Sequence, residues 1–85
     1  MEVPSKREGL HVREIDGETV ILDPNGGRMH NLNLTAAFIF NEVDGRRTVE
    51  EISGAVADAF EVPVETAEKD TRLLLSELKS LGLLA

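Results

Sequence analysis

Hydrophobic positions change their period once along this chain of 85 residues. Up to Leu32 they fall in short clusters separated by turn-forming residues; from Ala36 onward they recur every three or four residues, as on one face of a helix. Leu10 to Ile15 reads as a first strand, and Asp16-Gly17 after it suits the positive backbone angles of a hairpin turn. Thr19 to Asp23 is a second strand. Pro24-Asn25-Gly26-Gly27 is compatible with neither helix nor strand and makes a second turn, so Arg28 to Leu32 is a third strand.

Three helices follow. Asn33 stands where its side-chain oxygen can accept the orphan amide hydrogens of a first turn. Ala36, Ile39, Phe40 and Val43 then mark a buried face, and Gly45 is expected to end the helix in the left-handed conformation. Thr48-Val49-Glu50-Glu51 has the spacing of a capping box, which opens a second helix with the stripe Val49, Ile52, Val56, Ala59 and Phe60. The third begins near Pro63, a residue tolerated at a helix start because its missing N–H would be unpaired there. Its stripe is Ala67, Thr71, Leu74, Leu75, Leu78 and Leu81, and Gly82 ends it with Leu83 folding back on Leu78. The expected architecture is α+β and winged-helix-like: a three-stranded antiparallel β-meander, then three α-helices. It forms one domain over residues 9–85, led in by a polar, flexible segment at residues 1–8.

Composition narrows the function. A domain this short removes only about 60 to 65% of its unfolded surface from water, so there is no room for the deep cleft of most enzymes. Sixteen acidic against nine basic residues give a formal charge of −7. Such a surface repels phosphate backbones and anionic lipid, which argues against nucleic acid or membrane as partner. In DNA readers of winged-helix shape the third helix enters the major groove; here Glu65, Glu68 and Asp70 would lead it in. Cysteine is absent, which removes disulfides and thiolate metal sites and fits the cytoplasm. No apolar run is long enough for a secretion signal or a membrane span.

The order of several motifs resembles one known family. L-N-x-T-A-A-x-I-F-x-x-x-D-G from Leu32 to Gly45, R-R-T-V-E-E-I from Arg46 to Ile52, F-x-V from Phe60 to Val62, Asp70, and L-L-x-x-L-x-x-L-G-L-L from Leu74 to Leu84 are similar to the family of coenzyme PQQ synthesis protein D. V-I-L-D-P-N-G-G from Val20 to Gly27 extends the likeness upstream. Thr71 stands where members often carry an aliphatic residue, and Phe40 where tryptophan is frequent. The resemblance implies a recognition element for ribosomally made, modified peptides. Such a module holds the leader of a precursor peptide as an added strand along its third strand, beside its third helix. It presents the peptide to a tailoring enzyme, in the PQQ pathway a radical SAM protein, and carries no catalytic residue, cofactor or metal of its own.

The residues support such a site on physical grounds. The third strand of a meander is an edge, whose unpaired amides and carbonyls an extended peptide can complete. Arg28, Met29, His30, Asn31 and Leu32 are therefore the candidate platform. At about 100° per residue, Leu73 lies off the buried stripe of the third helix, on a flank with Thr66, Asp70 and Glu77. Leu73 and Leu74 are expected to grip an apolar leader side chain, with Asp70 and Glu77 favouring a basic one.

Leu34 and Phe38 point away from the first helix's buried face. They are covered by the Val3-Pro4 segment, or else form a surface for the maturation enzyme or for a homodimer. His11 and His30 lack the companions a metal site needs, and no G-x-S-x-G surrounds any serine. Asp44-Gly45-Arg46-Arg47 lacks the glycine cluster and Lys-Ser/Thr pair of a phosphate loop. The two arginines are expected to pair with the Glu-rich second helix. Beside the peptide-binding reading stands a second class, a winged-helix regulator or dimerising scaffold without a peptide substrate.

Overall fold

The computed structural model describes residues 2–85. Strands β1 (His11–Ile15), β2 (Glu18–Asp23) and β3 (Arg28–Leu32) precede helices α1 (Leu34–Glu42), α2 (Val49–Phe60) and α3 (Val64–Ser80). The strands form one antiparallel sheet in the order β1-β2-β3, so the fold is α+β with the meander first. Asp16 and Gly17 both have positive φ, at 51° and 81°, the backbone twist that joins two strands through a two-residue turn.

The sheet is covered unevenly. Val12, Ile21 and His30 lie side by side across the three strands and project to the same face. Ile21 is fully buried among α1, α2 and α3 residues such as Ile39, Phe40, Ile52 and Leu78. All five residues of β1 are exposed, and no Cα of β1 comes within 8 Å of a helix Cα. The core thus sits under β2 and the inner end of β3.

Each helix end has a local cause. Asn33 accepts the Ala36 N–H at 2.8 Å and starts α1. The end of α1 departs from expectation: the helix stops at Glu42, and Val43 turns to extended backbone with its side chain wholly buried. Gly45 does have φ of +78°, but it sits beyond the helix and donates its N–H to Pro4. Between them the Asp44 carboxylate accepts the backbone N–H groups of Arg46 and Arg47, each at 2.9 Å. That turn swings Arg47 back to pair with Glu42 and Asp44, rather than with α2 as its sequence position led us to expect.

Thr48 and Glu51 complete the capping box reciprocally, at 3.1 and 2.9 Å. Along α2, Val49, Ile52 and Val56 are buried as expected, whereas Ala59 is exposed and Ser53 and Ala57 are taken in. Ser53 tolerates burial because its hydroxyl donates to the Val49 carbonyl at 2.8 Å. Glu61 closes α2 in the left-handed region, with φ of 53°. At the end of α3, Gly82 (φ +79°) donates to Lys79 and Leu83 donates to Leu78, both at 3.0 Å. This is the double closure of a Schellman motif, and both leucines are buried.

The lead-in, expected to be flexible, is tied down over its described residues. Glu2 and Pro4 carbonyls accept the N–H groups of Val49 and Gly45, while Ser5 and Arg7 pair with Ala85 and Leu83. Arg7 also reaches the Asp23 carboxylate at 3.4 Å and the Gly82 carbonyl at 3.3 Å. Lys6 lies over the ring of Phe40, 4.8 Å from its centre. Residues 2–7 are therefore a strap across the base of the domain, held by backbone pairing that no residue pattern announces.

Candidate functional site

β3 closes the sheet on one side, and no strand of the described residues lies beyond it. α3 runs alongside but stands off, with no Cα within 8 Å of a β3 Cα. Between them opens a hollow of about 320 Å³. A further strand would lie about 4.8 Å from β3, within that gap.

Alternation along β3 decides what each residue offers. His30 stands opposite Ile21, and Leu32 opposite Thr19, so these two face the helices while Met29 and Asn31 take the outer face. Met29 is 65% exposed at the rim. His30 lines the hollow, and its Nε2 is buried with no hydrogen-bond partner. From α3 come Leu74, Glu77, Leu78 and Leu81, and from the start of α1 come Asn33 and Ala36. Leucines make up most of the α3 side, but His30, Asn31, Asn33 and Glu77 leave the lining as a whole more polar than apolar. Glu77 is its one charged side chain and forms no ion pair among the described residues.

Of the residues expected at this site, the hollow brings together Met29, His30, Asn31, Leu32, Leu74 and Glu77. Arg28, Thr66, Asp70 and Leu73 do not line it. Arg28 sits at the far end of β3 opposite Asp23, and Leu73, 63% exposed, lies with Thr66 and Asp70 on an open flank of α3. Asn33, Ala36, Leu78 and Leu81 line the wall without having been named for it. Leu74, Leu78 and Leu81 follow one another at i, i+4 and i+7, a single helical ridge, which was the signal available for Leu81. Ala36 and Leu78 serve both core and wall, so their role in the core masked the other.

Leu34 is 76% exposed and is not covered by the strap, contrary to one expectation. Phe38 is half covered, but by Phe60, whose ring meets it edge-on at 5.4 Å between centres. A larger hollow of about 430 Å³ lies elsewhere on α3, bounded by Glu2, Val3, Pro4 and Leu84 of the strap region and by Arg72 and Lys79. Arg72 is matched there by Glu50 at 2.9 Å, Glu68 at 3.7 Å and Glu2 at 3.9 Å. That hollow lies between the strap and α3, and its arginine is already paired. Among the described residues no three His, Asp or Glu side chains gather as a metal ion would require. No described helix is long and apolar enough to cross a membrane.

An α+β domain whose open sheet edge faces a helix across a hollow is the class of protein this geometry defines. The chain belongs to the family of coenzyme PQQ synthesis protein D, whose model matches residues 18–84. A PqqA binding protein from Rhizobium meliloti (strain 1021) is 33% identical over 69 residues, which cover 81% of this chain and 68% of that one. Among solved structures, a lasso peptide synthetase B1 complexed with its leader peptide superposes with a TM-score of 0.87 at 26% identity, over 99% of both chains. The PqqD truncation of Methylobacterium extorquens PqqCD, described as a functional, stand-alone recognition element for ribosomally synthesized and post-translationally modified peptides, has a TM-score of 0.80 at 26% identity. It covers 98% of this chain and 88% of that one.

Proposed function

We propose that this protein is a non-catalytic peptide chaperone that binds the leader of a ribosomally made precursor as a fourth strand on β3. It then presents the peptide to a separate tailoring enzyme in the cytoplasm, of the radical SAM class. The observation that carries the reading is the unpaired β3 edge facing α3 across the hollow. An edge supplies hydrogen bonds to a guest of any sequence, and side-chain pockets beside it supply selectivity. Relatives that bind PqqA or a leader peptide support the same reading.

The sheet has two edges, and only one suits this task. β1 carries Arg13 and Glu14, charges of the kind that discourage strand addition, and no helix faces it. β3 offers Met29, His30 and Asn31 beside a second wall. Beyond the hollow a longer leader runs along the α3 flank past Leu73, Asp70 and Thr66 in one direction or past Arg28 in the other. The exposed Leu34 and neighbouring Phe38 form a surface for the enzyme or a second copy of the chain.

Calorimetric titration with the leader of a short precursor encoded beside this gene tests the reading. Leu81→Glu on the α3 wall of the hollow weakens binding about ten-fold or more, because a guest strand would cover the new carboxylate, and Val12→Glu on β1 leaves it unchanged. Equal losses in the two variants, or none in Leu81→Glu, would refute strand addition at β3.

A further inference from the structure

We infer that Glu77 sets the charge of the guest, so that the leader this protein accepts carries a Lys or Arg two residues from an aliphatic or aromatic residue. The inference rests on strand addition at β3. A guest paired there continues the alternation of the sheet, so every second side chain points at α3, with successive inward side chains about 6.6 Å apart. Inward of β3 those side chains meet the apolar ridge of Leu74, Leu78 and Leu81, which accepts a hydrophobic group. They also meet one carboxylate, that of Glu77. No cation of this chain pairs with it among the described residues.

The helix geometry gives the spacing. Leu74 and Glu77 are three residues apart on α3, a rise of about 4.5 Å, and Glu77 and Leu81 are four apart, about 6 Å. An apolar side chain seated at Leu74 or at Leu81 therefore leaves the neighbouring inward position of a guest running along α3 beside Glu77, within reach of a long basic side chain. An acidic residue at that position would meet like charge in a half-enclosed site with no counter-ion. The chain as a whole is acidic at −7, and that field draws cationic peptides without ordering them. Glu77 converts the general attraction into a positional one.

Selection of a library of random short peptides displayed on their own messenger RNA tests this without knowledge of the natural leader. Wild type, Glu77→Lys, and Asp58→Lys are used as baits. Asp58→Lys makes the same change in net charge outside the hollow. Bound peptides are synthesised, and their site is read from amide shifts of Met29 to Leu32. The wild-type and Asp58→Lys pools are enriched about ten-fold in Lys or Arg two positions from an apolar residue, the scale of one charge-assisted hydrogen bond. The Glu77→Lys pool keeps the apolar residue and exchanges the basic one for Asp or Glu. The inference is overturned if peptides shift β3 amides yet show no basic preference, or if Glu77→Lys retains the wild-type preference. Peptides that bind without shifting β3 amides would overturn strand addition itself, and this inference with it.

Discussion

Thr71 is wholly buried in the middle of α3, and its hydroxyl has no hydrogen-bond partner. An unsatisfied hydroxyl in an apolar core costs about 1 kcal/mol or more. Thr71→Val should therefore raise stability by about 1 kcal/mol, seen in urea unfolding as a higher midpoint at unchanged slope; a lower midpoint would mean the hydroxyl is satisfied. Glu61 carries backbone strain instead, left-handed at the end of α2 without being glycine. Glu61→Gly removes a backbone cost of about 1 kcal/mol, and the same titration measures it. At Asp44 the backbone N–H of Arg47, then that of Arg46, holds the carboxyl below the usual aspartate range. Because the folded value lies below the unfolded one, the stabilisation is complete at neutral pH. It is lost as pH falls from the ordinary aspartate value through the lowered one. A carbon-detected NMR titration should place the Asp44 midpoint below that of an unstructured aspartate.

At the scale of elements, signals that act through two or three neighbouring residues were legible and those set by distant contacts were not. Asp16-Gly17 marked the hairpin because few other pairs adopt two positive φ angles, and the limits of β3 followed from the four turn residues before it and the cap at Asn33. Thr48 and Glu51 located the start of α2, and replacing the cap by Thr48→Ala should cost about 1 kcal/mol, read as faster amide exchange in the first turn. The sequence places the end of α1 at Gly45, whereas burial of Val43, a tertiary demand, takes the chain out of the helix after Glu42. The end of α2 was bracketed only by the last stripe residue, Phe60, and by Pro63, since Glu61, its left-handed cap, is neither Gly nor Asn. The candidate site was legible as an edge strand from Arg28 to Leu32, but which of these residues face inward, His30 and Leu32, follows only from the register with β2. It was not legible at Ala36 and Leu78, which face the core and the hollow together. Nor did helical angle alone tell how far Leu73 stands from β3, because that depends on where α3 crosses.

Across the whole molecule, packing divides the domain into a closed part and an open part. α1, α2, α3 and β2 share one core, the strap ties its base, and Arg7 joins the β2 turn at Asp23 to the end of α3 at Gly82. Arg7 thereby links β2 to the end of the helix that walls the hollow. β1 takes no part in the core, and its edge is charged and unopposed. The central claim is that one edge of this sheet, and not the other, receives a peptide strand. Amide hydrogen exchange by NMR, free and saturated with a leader peptide, tests it most directly. The account predicts slowed exchange at alternate amides between Met29 and Leu32, since only every second N–H of an edge strand points outward, with His11 to Ile15 unchanged. Protection gained along β1, or none gained along β3 while the peptide is bound, would contradict it.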